Sequence, residues 1–158
     1  MPNQPVHMFS GAICGGLAAS LAAREQYPVQ WAFETVGGVI AGRLSGTWPD
    51  RLDPPFCPSH RALGHAVAPA FLATTYALKN SEILRNELRA QAYECSLRAA
   101  DPMVLPLERI CYACLSLVCS MLAGATSGIL AGYWSHIALD SCTPCGVPIW
   151  GVNKLAHS

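Results

Sequence analysis

Charge is scarce in this sequence. Only 13% of its 158 residues are Asp, Glu, Lys or Arg, about half the usual share of a soluble globular domain. The ten basic and ten acidic residues cancel to a formal net charge of zero. Such a composition argues against intrinsic disorder, which needs few apolar residues and much charge. It also lacks the basic field on which a nucleic-acid binder relies, so no nucleic acid is expected as a partner. No Lys or Arg precedes the apolar run 8–23, so a secretory signal peptide with its positive opening segment is not expected. No heptad repeat, long internal repeat or low-complexity tract is evident.

Apolar residues take the space that charge leaves. They make up 52% of the chain. Residues 1–23, 62–78 and 110–139 carry no charged side chain, and 27–44 is broken only by Glu34 and Arg43. A membrane-spanning helix needs about 20 mostly apolar residues, with about 17 as a lower limit. The expected architecture is therefore an all-α polytopic membrane helical bundle in one domain, residues 1–158. About four membrane-embedded helices are expected, with the lipid bilayer as a partner. Arg24, Arg43, Arg51 and Arg61 sit near the ends of different runs, so no positive-inside asymmetry fixes an orientation.

Small residues fall at helical spacing in three places. Gly11, Gly15, Ala19 and Ala23 form one set, Gly38, Gly42 and Gly46 a second, and Gly124, Gly128 and Gly132 a third. Steps of four put each set on one helix face. Such faces let helix backbones approach closely, the usual packing device in lipid.

Half of the charged residues, ten of twenty, fall within 79–109. This polar insert reads as one amphipathic helix. Ser81 is its expected N-cap, Glu82 lies in its first turn, and Asp101, Pro102 and Pro106 end it. It is expected in water or at the membrane surface.

Eight Cys are present, but Cys14, Cys111, Cys114 and Cys119 lie inside apolar runs and read as small buried hydrophobes. The pairs Cys111/Cys114 and Cys142/Cys145 have zinc-ribbon spacing, but the first sits in an apolar helical stretch rather than on an exposed turn. Cys57 and Cys142 are minor ligand candidates.

Nearly all the histidine, and a disproportionate share of the acid outside the polar insert, lies at the ends of the apolar runs. Asp50, Asp53, His60, Arg61 and His65 share one Pro-rich segment, which Pro54 and Pro55 make a loop. His136 and Asp140 are four apart, so on a helix they share a face and can point at one metal. His7 stands near the start; His157 has no partner in the pattern. A carboxylate beside a long apolar run is unfavourable unless it is paired or binds a cation. A shared His/Asp pocket accounts for the concentration. Its donors suit a divalent metal, Zn²⁺ first, with Mn²⁺ or Fe²⁺ also compatible. Such a metal makes hydroxide available near neutral pH, a spare carboxylate can take the proton, and Arg61 can hold a phosphate oxygen.

The run 132–148, GYWSHIALDSCTPCGVP, resembles the GY-SHI-x-x-D-x-x-TP-x-GVP signature of the YdjM-like inner-membrane proteins, a family described as metal-dependent hydrolases. Pro49-Asp50 followed by His60-Arg61 and His65 resembles the same family's PD…HR…H segment, and His7 its N-terminal His. The family is distantly similar to the zinc phospholipase C and P1 nuclease group, which is all-helical with a multinuclear His/Asp zinc site. The resemblance implies metal ligation by His136 and Asp140, joined by Asp50, by one or both of His60 and His65, and by His7. It implies for Asp53 a further ligand or the general base. It also implies a bacterial inner-membrane location and a small-molecule or lipid phosphoester substrate. Ala66 stands after His65 where the family often has Ser, and 79–109 matches no family motif. Two other readings stand beside it: a non-catalytic metal-binding or transport protein built on the same ligands, and a small membrane adaptor, in which the polar insert 79–109 is the part that matters.

Overall fold

The computed structural model describes residues 4–52 and 66–142, and they are all-helical. α1 is Gln4–Ala22, α2 Pro28–Ser45, α3 Trp48–Leu52, α4 Val67–Ala100 and α5 Pro106–Ser141. Pro28 and Pro106 stand in the first turns of α2 and α5, where the missing N–H is no loss and the fixed φ suits the helix. The four long helices run alternately up and down. α1 and α2 form an antiparallel hairpin, α5 runs parallel to α2, and α4 runs antiparallel to α5.

The three small-residue faces meet along the axis of α1, α2 and α5. A Cβ on Gly42 would strike the backbone of Gly11 and Gly15, and one on Gly132 would strike the backbone of Gly42. Further along, Gly128 lies against Gly38 and Gly124 against Glu34. Backbone meets backbone over the length of the bundle. The apolar side chains displaced from this seam face outward: Phe9, Ile13, Leu17 and Leu21 of α1 form one exposed stripe, and Val36, Ile40 and Leu44 of α2 another. A bundle with a glycine interior and an aliphatic exterior suits lipid better than water.

Among the described residues two helices, α1 and α5, are long and apolar enough to cross a membrane. The expected span over 62–78 and the polar helix after it are instead one continuous helix, α4, and residues 106–109 open α5. Ser81 lies mid-helix and bonds back to the Leu78 carbonyl rather than capping. No sequence signal stops the helix between Leu78 and Lys79, because change of polarity alone does not break backbone hydrogen bonding. The charged part of α4 therefore lies beside the uncharged part of α5: Arg85 donates to Ser127, and Ser116 donates to the Ala92 carbonyl.

α4 packs along α5 and is tied to the α1–α2 hairpin by Arg89. Its guanidinium binds both oxygens of the buried Glu34, at 2.8 and 2.7 Å, and donates to the Ala22 carbonyl at 2.8 Å, at the end of α1. Removing one partner of such a pair strands a buried charge and costs about 3–5 kcal/mol, whereas replacing both by apolar residues costs far less. Arg89→Ala is expected to lower detergent-solubilised stability by that amount, and Arg89→Met with Glu34→Leu by clearly less, as read by thermal unfolding.

Candidate metal centre

Three helices deliver polar side chains to one end of the bundle. His7 lies in the second turn of α1, Asp50 in α3, and His136 and Asp140 in the last turns of α5. His7, His136 and Asp140 are buried; the Asp50 side chain is 35% exposed and forms the open edge. The two imidazoles stack with centroids 3.7 Å apart and planes 19° from parallel.

His136 Nδ1 lies 2.6 Å from the carbonyl oxygen of Gly46. A carbonyl only accepts, so Nδ1 carries the proton and Nε2 faces the carboxylates. From Nε2, Asp50 Oδ1 is 3.5 Å and Asp140 Oδ2 3.6 Å away. The other Asp140 oxygen lies 3.5 Å from His7 Nε2. These separations exceed the 2.7–3.2 Å typical of a hydrogen bond. They match two ligands of one tetrahedral zinc, which at bond lengths of about 2.0–2.1 Å stand about 3.4 Å apart. His7, Asp50 and His136 offer three ligand atoms within 4.8 Å of one another. A group of one carboxylate and two imidazoles, with a further carboxylate behind it, fits a divalent cation of the zinc, manganese or iron type; which metal it takes is not fixed by these distances.

The glycine seam builds this site. Gly46 lies so close to α1 that a Cβ there would meet the His7 carbonyl and the Gly11 backbone. The same approach presents its carbonyl to His136. Ser10, one turn after His7, bonds to Ser135, which precedes His136, and so fixes α1 against α5. The Gly46 carbonyl carries no sequence signal as a histidine partner. Glu34 did carry one: a carboxylate inside an apolar run needs a cation, and Arg89 supplies it.

Of the residues expected at the site, the structure brings together His7, Asp50, His136 and Asp140. Asp53, His60, Arg61 and His65, along with Cys57, lie outside the described residues. Cys142 is exposed, and Cys111 and Cys114 are exposed rather than buried, on the outer surface of α5. The class that fold and site define is an all-helical bundle with a His/Asp group able to hold a metal ion at one end. Comparison with protein-family models, with curated proteins and with solved structures found no match.

Proposed function

We propose that this chain is a membrane-bound metal-dependent hydrolase acting on a phosphoester, in the inner membrane of a bacterium. The observation that carries the reading is the convergence of His7, Asp50 and His136, from three separate helices, with Asp140 against both imidazoles. The signature 132–148 and its resemblance to the YdjM-like proteins support the reaction class. His7, Asp50, His136 and Asp140 would hold the metal, with His60 and His65 as further ligands. Bound there, a divalent cation supplies Lewis acidity and lowers the pKa of a water it holds.

The chain's own groups divide the remaining work. The Gly46 carbonyl holds His136 in the tautomer whose Nε2 is a lone pair. Asp140, buried against the Nε2 atoms of both imidazoles, orients both rings. Asp50 marks the side from which water and substrate enter, being the most exposed of the four. Asp53, three residues on, would take the proton from the attacking water, and Arg61 would hold a phosphate oxygen. All four located donors lie at one end of the bundle rather than at two depths, which favours hydrolysis at a membrane edge over a transport path.

The deciding experiment loads the detergent-purified chain with Zn²⁺, Mn²⁺ or Fe²⁺ and measures metal content. It then assays phosphodiester, phosphomonoester and phospholipid cleavage. Metal near one ion per chain or above, with metal-dependent release of product, is the expected result. A chain that takes up no metal under any loading condition overturns the hydrolase reading; one that binds metal but cleaves none of the three substrate types moves it to metal handling.

A further inference from the structure

On the hydrolase reading, we propose that the phosphate attacked at this centre belongs to a bilayer lipid and is met at headgroup depth, not carried in by an ester dissolved in water. What points to this is the place of the ligands along the apolar surface of α1 and α2.

That surface has two ends. Val36, Ile40, Leu44, Trp48 and Leu52 are exposed and step by four, so they share one face of a helix. Backbone bonds from Gly46 to Gly42, from Thr47 to Leu44 and from Arg51 to Thr47 carry α2 into α3 and keep the face continuous. Trp31 is exposed at the other end of α2. It stands about 26 Å from Trp48 at 1.5 Å per residue, close to the hydrocarbon thickness of about 30 Å. Exposed Trp is the side chain that marks a membrane–water boundary. α1 runs beside this face with Phe9, Ile13, Leu17 and Leu21 exposed, again in steps of four. α4 has exposed Lys79, Glu82 and Glu87 and does not belong to this side.

The metal centre sits at the outer edge of the layer so marked. Asp50 comes two residues after Trp48, and His7 two residues before Phe9, about 3 Å along the axis in each case. Beyond the same ligands Leu52 and Val6 are exposed. Among the described residues, apolar side chains therefore bracket the ligands on both helices. The headgroup regions take up the difference between a core of about 30 Å and a bilayer of about 40–45 Å, roughly 5–8 Å on each side. A site about 3 Å outside the Trp48 level falls within that region, at the depth of lipid phosphates. A lipid brings its phosphate there by moving in the plane, with its acyl chains against the stripes of α1 and α2. An ester in bulk water has to cross the headgroups first. Hydrolysis needs no further reactant: the hydroxyl of water goes to phosphorus, one P–O ester bond breaks, and the leaving oxygen takes the proton.

The test has two arms on the full-length chain. The first needs no turnover. Trp31→Phe/Trp134→Phe/Trp150→Phe leaves Trp48 as the single tryptophan and, with helical circular dichroism retained, is placed in phosphatidylcholine vesicles brominated at a shallow or a deep acyl position. Its fluorescence should be quenched most by the shallow bromines. Strongest quenching by the deep bromines, or none by either, overturns the proposal. The second arm gives the metal-loaded parent phosphatidylcholine, phosphatidylethanolamine and phosphatidylglycerol in mixed micelles, and the same three headgroup diesters stripped of their acyl chains. Confinement of both partners raises effective concentration, so kcat/KM for the best lipid should exceed that of its stripped counterpart by at least about 100-fold. The rate should also fall when added detergent dilutes the lipid within the micelle at constant bulk concentration. Equal cleavage of lipid and stripped diester leaves the hydrolase reading standing and overturns this proposal. Cleavage of neither removes the hydrolase reading, and this proposal with it.

Discussion

His136→Ala is expected to empty the metal centre. His136 is fully buried, is held by the Gly46 carbonyl, and lies within 3.6 Å of both Asp50 and Asp140. Losing an outer-shell partner of a metal site lowers affinity or activity by about 10–100-fold, so loss of a direct ligand should exceed about 100-fold. Metal content measured by mass spectrometry should fall from about one ion per chain to below a tenth of that, a drop set by the same loss of affinity. Asp50→Asn separates this outcome from misfolding. Asp50 is partly exposed and its amide analogue keeps the shape, so stability should change little, while metal affinity should drop at least about tenfold. The rival account makes His136 a protonated imidazole in a purely structural ion pair with the two carboxylates. On that account the parent takes up no metal, and Asp50→Asn, by removing one partner of a buried ion pair, lowers stability instead. Metal analysis of the parent and the two variants decides between them.

The parts of the fold that were legible in the sequence are those written in short-range spacing. The glycine sets every four residues mark the faces that meet in the seam, and the i,i+4 step of His136 and Asp140 places both on one side of α5. The approach of His7 to that pair was visible only as a weak motif match, because it depends on α1 running antiparallel to α5. The boundaries of α4 were not legible. An abrupt change from apolar to charged composition at Lys79 reads as two elements, but neither Gly nor Pro interrupts 70–100, and the backbone continues through. Of the four expected membrane-embedded helices, α1 and α5 are, among the described residues, long and apolar enough to cross a bilayer, whereas α2 carries Glu34 and Arg43 and α4 the polar insert. The Gly46 carbonyl had no signature at all, since any residue has one and only the approach of three backbones gives this one a role.

That dependence of the site on the seam makes a glycine, rather than a ligand, the most informative second target. Gly132 lies one turn before His136 on α5. A Cβ there would meet the hydroxyl of Ser45 and the backbone of Gly42, and the backbone cannot rotate away as a side chain would. Gly132→Ala must therefore push α5 from α2, against a gain of about 1 kcal/mol from better helix propensity. Overpacking against flexible neighbours costs about 1–3 kcal/mol; here the neighbour is backbone, and a net loss of about 3 kcal/mol is expected. For a chain of this size that is a fall in Tm of about 6–12 °C. Gly16→Ala is the control. Gly16 is equally buried, but its Cβ would meet only the Val39 side chain, which has room to turn, so its Tm should stay within about 2 °C of the parent. Metal content distinguishes a local from a global effect. If Gly132→Ala still folds at low temperature, it should bind metal weakly, because moving α5 draws His136 Nδ1 off the Gly46 carbonyl and turns Nε2 away from Asp50. A Gly132→Ala chain with unchanged Tm and full metal content would mean that α2 and α5 do not touch at this level, and the site would have to be rebuilt on a different packing of α5.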